Sequence, residues 1–227
     1  MSDETLTHSC VPLTATEDLV QQVAKGRADL TRFARQRGFS LVEVSMVTAL
    51  MILIAIIGIP AVQGYVVENK VPRVAEDLQR FIARLKVSAV GAGAAPYARV
   101  DQRALVNGLR DAAAIQLLGK GSNLSVAHGL GGVGVGSRGT ISIRSAAVPG
   151  FGDGSGFKLI LSDVNHAACP ALATVLQRMA LQVTISGVGP AVEVKNSRLD
   201  PAREYDPVLA DVQCKPGDSN TFEFVFQ

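Results

Sequence analysis

The hydrophobic and polar positions of the chain fall into three regimes. Val44 to Val67 is a run of 24 residues without a single charge. Beyond it, Val71, Val74, Leu78, Phe81, Ile82, Leu85 and Ala89 recur at the three-to-four spacing of one helical stripe, with Arg73, Asp77, Arg80 and Arg84 assigned to the other face. From residue 140 onward the period becomes two. The first two regimes read as one helix, apolar all round in its first half and on one side only in its second. It begins at Phe39, ends near residue 92, and at about 50 residues would be roughly 75–80 Å long. Its first part, 39–67, exceeds what the roughly 30 Å hydrocarbon core of a bilayer requires. Gly58, Pro60 and Pro72 are its weak points, since each proline deletes a backbone donor and crowds the preceding turn.

Gly91-Ala-Gly-Ala-Ala-Pro96 ends that helix, and Asp101–Ile115 carries a second, shorter helical pattern through Leu105, Leu109, Ala112 and Ala113. The glycine-rich stretch 119–139, containing HGLGGVGVGSRG, reads as a flexible surface connection. Alternation then marks strands at Thr140–Arg144, Phe157–Leu161, Leu181–Ile185 and Thr221–Phe226, the pattern of an antiparallel sheet with one buried face. Between the second and third, Pro170–Ala180 has helical spacing, with Pro170 suited to a first turn. The predicted fold class is α+β: a long N-terminal helix whose amphipathic half packs on a head, 93–227, built around a small antiparallel sheet. No internal repeat is visible.

Composition and charge add a topology. An apolar fraction of 48% with 19% charged residues leans toward a membrane-associated protein. The net charge of +2, with no basic stripe interleaved with aromatics, gives no indication of nucleic acid. All five basic residues of the first 38, Lys25, Arg27, Arg32, Arg35 and Arg37, cluster directly before the apolar run. By the positive-inside rule they hold the N-terminus in the cytoplasm, so residues after about 68 lie outside it. The preceding TEDLVQQVAKGRADLTRFARQR forms a loosely amphipathic cytoplasmic extension, with Leu19, Val23, Leu30 and Phe33 on one face. Cys10 then stays reduced, whereas Cys169 and Cys214 are exported and an oxidised pair is expected, two separate buried thiols being the alternative. Closing that loop would remove on the order of 4 kcal/mol of unfolded-state entropy.

Catalytic chemistry finds no support. The glycine-rich stretch lacks the strand before it, the helix after it and the GK[ST] ending of a phosphate loop. His8, His128 and His166 are scattered, no His/Cys/Asp/Glu group has zinc spacing, and no nucleophile-elbow motif accompanies the serines. The reading is of a protein without enzymatic activity, metal or cofactor.

A plain signal anchor does not account for one feature. An acid, Glu43, stands at the edge of the apolar run, five residues after a glycine that follows the last arginine. Arg37-Gly38-Phe39-Ser40-Leu41-Val42-Glu43, with basic residues upstream and the apolar run downstream, resembles the prepilin signature of type IV pilins and type II secretion pseudopilins. The resemblance implies that 1–38 is a leader cleaved between Gly38 and Phe39 by a prepilin peptidase, which also N-methylates Phe39. It implies a single-span inner-membrane precursor with a periplasmic head, handled by an inner-membrane assembly platform and polymerised with copies of itself into an extracellular filament. In that array the positive α-amine of Phe39 would pair with Glu43 of a neighbour, so that one wrong axial step leaves both charges uncompensated. The Gly58–Pro60 segment would be where the helix breaks on assembly.

The long leader resembles that of type IVb pilins. So do the Gly-Gly connection before a strand, Ala168-Cys169 opening a helix after a strand, and Cys214 shortly before a terminal strand. Phe39 as first mature residue is the type IVa habit instead. The resemblance therefore implies a major subunit of a type IVb-like thin pilus serving adhesion, aggregation or conjugation. A pseudopilin or minor pilin is the second reading, and an uncleaved membrane-anchored binding protein the third.

Overall fold

The computed structural model describes residues 40–227, apart from the side chains at 60, 61, 63 and 122. The leader, the amphipathic stretch within it, Gly38 and Phe39 lie outside the described residues. Helix α1 runs Leu41–Ala89, 49 residues without interruption through Gly58, Pro60 and Pro72. Its start is set by Ser40, whose carbonyl accepts from the Glu43 N–H (2.9 Å) and the Val44 N–H (3.1 Å). Its end is set by the turn at Gly91, where φ is +83°. Two compact units divide the chain within this helix, residues 40–56 of the first and Ile57–Gln227.

In the second unit, α1 is followed by α2 (Gln102–Gly108), then β1 (Gln116–Leu118), β2 (Ser125–Ala127), β3 (Thr140–Val148) and β4 (Gly152–Asn165). A 3-10 turn leads into α3 (Cys169–Leu176), then come β5 (Gln182–Ser186), β6 (Val192–Asn196), α4 (Pro207–Gln213) and β7 (Asp218–Phe226). The strands form one seven-stranded sheet in the order β1-β2-β3-β4-β7-β5-β6, every pair antiparallel. The last strand in sequence thus lies between β4 and β5.

Register explains the core. Ile141, Leu161, Phe222 and Ile185 form one cross-strand row through β3, β4, β7 and β5, and Ile143, Leu159, Phe224 and Val183 form the next. All eight are buried, and Val71, Val74, Leu78, Phe81 and Ile82 of α1 belong to the same cluster. Phe157 stacks on Phe226 at 5.1 Å between ring centroids. The opposite face is polar: Lys158 Nζ lies 2.6 Å from the Glu223 carboxylate, with Arg144 3.7 Å from the same side chain. The alternation of β4 and β7 that predicts strands is the physical sorting of these two faces.

The structure departs from the sequence reading in several places. The sheet is larger than expected, because β1 and β2 are too short to show a period and β6, as long as β5, buries only Val194. The stretch 119–139 is not a loose connection: Val126, Ala127, His128 and Leu130 are buried. A Cβ on Gly131 would meet the Asp163 carbonyl at 2.5 Å, and one on Gly132 would meet the Gly139 backbone at the same distance. The glycines there permit close backbone approach rather than movement. The predicted Asp101–Ile115 helix stops at Gly108, where a Cβ would collide with the Phe81 ring at 2.5 Å.

Candidate assembly surface

The apolar half of α1 presents the feature on which any function must turn. Its large side chains from Leu41 to Ile56 are 51–84% exposed, and the helix is long and apolar enough to cross a membrane. Ser45 and Thr48 turn their hydroxyls back onto the Val42 and Val44 carbonyls at 2.8 Å, which hides their polarity within the helix. Glu43 is thereby the one group in 40–67 that carries a formal charge. It occupies the first helical turn, three residues after Ser40, where a negative charge complements the helix dipole. A Cβ added at Gly58 would meet nothing within 4 Å.

The amphipathic half is fixed by polar contacts as well as by its apolar stripe. Asp77 is buried, not on the outer face: its carboxylate accepts from the Ala114 N–H at 2.9 Å and draws the chain after α2 against α1. Gln79 donates to the Val175 carbonyl of α3 at 3.5 Å, and Lys86 to the Met179 carbonyl at 3.2 Å. Burial pushes the Lys86 ammonium below its ordinary range, and the Phe226 ring 5.8 Å away offers it a π face. Gln102 on α2 finishes the β3 edge that short β2 leaves open, donating to the Ile141 carbonyl (3.0 Å) and accepting from the Ile143 N–H (3.3 Å). No sequence period marks these four; each interrupts or borders an apolar stripe, which is the only signal they leave.

Cys169 and Cys214 are joined in a disulfide across 45 residues, with Cα atoms 5.9 Å apart. The bond ties the first residue of α3 to the residue after α4. Asp206 caps α4 by accepting from the Val208 and Leu209 N–H groups, and Pro207 begins it. Asn220, fully buried, holds the following turn: its amide donates to the Val164 and Lys215 carbonyls and accepts from the Lys215 N–H at 2.7 Å. Among the described residues no three His, Cys, Asp or Glu side chains gather into a metal site.

The class defined by these elements is α+β, a long N-terminal helix whose second half packs on an antiparallel sheet with a disulfide-linked C-terminal region. No protein-family model and no curated protein matches the chain. In structure it is similar to the type IV b pilin from Salmonella typhi, with 15% identity and a TM-score of 0.44, over 70% of this chain and 98% of that one. It is also similar to TcpA, a type IV pilin from Vibrio cholerae El Tor biotype, with 15% identity and a TM-score of 0.42, over 70% of this chain and 99% of that one.

Proposed function

We propose that the chain is the subunit of a type IVb-like pilus. It is made as a prepilin, cut after Gly38, N-methylated on Phe39 and polymerised through α1 into an extracellular filament for adhesion, aggregation or conjugation. The observation that carries this reading is a pair of facts about one segment. A Gly38-Phe39 junction with the prepilin pattern precedes in sequence a helix whose apolar half is exposed and carries a single acid, Glu43, five residues after Gly38. Cleavage creates a positive α-amine four residues before that acid in sequence and leaves 189 of the 227 residues.

The same segment serves two environments in turn. In the precursor it spans the inner membrane with Glu43 near the headgroups, where an acid costs less than the roughly 2.5–3.5 kcal/mol of the bilayer centre. In the filament copies of it pack together, and the Phe39 amine of one subunit neutralises Glu43 of another. The disulfide and the Asn220 clasp suit a head working outside the reducing cytoplasm. The Gly58–Pro60 segment, continuous in the single chain, is where the helix would open on assembly. The prepilin peptidase, the assembly platform and further copies of the chain are the partners.

Electron microscopy of surface-sheared material tests the reading. Filaments present in the wild type and lost on deletion are expected. Replacing Glu43 by Ala should leave processing intact and abolish or sharply reduce filaments; undiminished filaments in that variant would count against the pairing.

A further inference from the structure

His128 is fully buried, unlike His166, which is exposed. Both of its ring nitrogens are engaged: Nε2 lies 2.8 Å from the Ser162 carbonyl, and Nδ1 lies 3.0 Å from the Leu130 backbone nitrogen. A carbonyl can only accept and a backbone N–H can only donate. The ring is therefore neutral, with its proton on Nε2 and an open lone pair on Nδ1. Leu130 is held from its other side too, since its carbonyl accepts from the Asn165 N–H at 2.8 Å. Leu130 and His128 together pin the start of the glycine-rich loop onto the end of β4.

A second proton on the ring has no place here. It would sit on Nδ1, facing the Leu130 N–H, and turn an acceptor–donor pair into two opposed donors. The groups that face the ring are Asp163 on β4 and Asp218 at the start of β7, whose charges favour the proton. Arg138 of the loop lies 3.9 Å from the Asp163 carboxylate and offsets part of that charge. The hydroxyls of Ser162 and Thr140 are 3.3 Å apart and occupied with each other and with backbone carbonyls. Burial outweighs the two acids and holds the imidazole below its ordinary range.

Beyond Leu130 the loop is held by polar contacts, among them the Gly132 N–H on the Asp218 carboxylate and the Ser125 hydroxyl on the Gly134 carbonyl. Residues 129–139 contain glycines at 129, 131, 132, 134, 136 and 139, all at positive φ. Val133 and Val135 are exposed at its tip, so Leu130 is its buried apolar anchor. Gly131, just beyond the pin, also lines an open groove of about 330 Å³ with Val62, Val66 and Val67 of α1, Asn165 and Asp218.

We propose that His128 is an acid-operated latch: neutral, it pins Leu130 and the loop 129–139 to β4, and protonated, it releases them beside the Val62–Val66–Val67 groove. The device goes beyond filament assembly and does not depend on it. Its sign follows from the depressed folded-state affinity for a proton. The latch contributes its full stability above about pH 6.5, the value for an unfolded histidine, and loses it as pH falls below that through the folded value.

The test is hydrogen exchange read by mass spectrometry on the full chain in detergent micelles, at pH 7.5 and 5.0, with rates corrected for the intrinsic pH dependence of amide exchange. Peptides covering 129–139 should lose protection at pH 5.0 by tenfold or more, while peptides of α3 change little. Equal protection of the loop at the two pH values overturns the proposal. His128→Gln keeps a donor near the Ser162 carbonyl and does not titrate, so its loop protection should be the same at both pH values. A pH-dependent loss persisting in that variant, or abolished by His166→Gln in an otherwise native chain, overturns it equally. Should His128→Gln fail to fold, nitrogen-15 shifts of the wild-type ring decide. Nδ1 unprotonated at pH 7.5, titrating together with loop release, supports the latch; a ring already charged at pH 7.5 overturns it.

Discussion

Glu43 stands in the first turn of α1, and two roles compete for it. As a local residue it complements the helix dipole three positions after Ser40, a contribution of about 0.3–1 kcal/mol. As an assembly residue it supplies the one negative charge in an apolar segment. Glu43→Gln removes the charge on which both depend, so helix content and filament yield, read separately, tell them apart. Processing should continue and helix content should hardly change, while filament yield falls as far as in Glu43→Ala; wild-type yield would reduce Glu43 to a cap. Elsewhere single polar residues fix the head. Asn220→Ala removes an amide with three backbone partners and strands buried groups, so it should destabilise by about 2–4 kcal/mol, measured by urea unfolding. Asp77→Asn leaves an oxygen for the Ala114 N–H and should cost less than Asp77→Ala, the difference reporting that one bond. Positions such as these are illegible in the sequence. Asp77 lies one residue from Leu78 on the helix and reads as solvent-facing, because periodicity cannot tell which border residue meets a backbone N–H.

At the scale of elements, legibility follows length. Helix α1 and strands β3, β4, β5 and β7 each contain enough turns or alternations for their buried face to be written in the order of residues. Three-residue β1 and β2 contain one and a half periods, and they emerge only because β3 offers β2 an edge and β2 in turn offers one to β1. Helix α2 shows the opposite error: its apolar spacing continues to Ile115, but packing of Gly108 on Phe81 turns the chain earlier. The glycines of 129–139 read as freedom and prove to be close contact. Gly131→Ala adds a Cβ against the Asp163 carbonyl at positive φ, and should lower the unfolding midpoint more than Gly129→Ala, whose added carbon meets nothing. The cysteine pair is legible from topology, since both lie beyond the apolar run. Replacing both by serine should cost on the order of 4 kcal/mol for a 45-residue loop and be matched by reduction of the wild type. A loss below about 1 kcal/mol would mean that the Asn220 clasp holds the region without the bond.

For the whole molecule, the division of labour lies along one helix. Its second half is committed to the head by a buried stripe and by Asp77, Gln79 and Lys86. Its first half is exposed and apolar, a surface that calls for lipid or other copies of the chain. Leu78→Ala, in the committed half, should destabilise the head by about 2–5 kcal/mol through the cavity it leaves. Under the proposed function Gly38→Ala, at the other end, should leave an uncleaved precursor in the membrane and no filament. In the proposed mechanism assembly begins with that cut, because the amine that Glu43 is proposed to meet does not exist until the leader is gone. N-terminal sequencing with intact mass of the exported protein tests this most directly. A chain beginning at N-methylated Phe39 is the predicted result; one beginning at Met1 would contradict the assignment as a pilin.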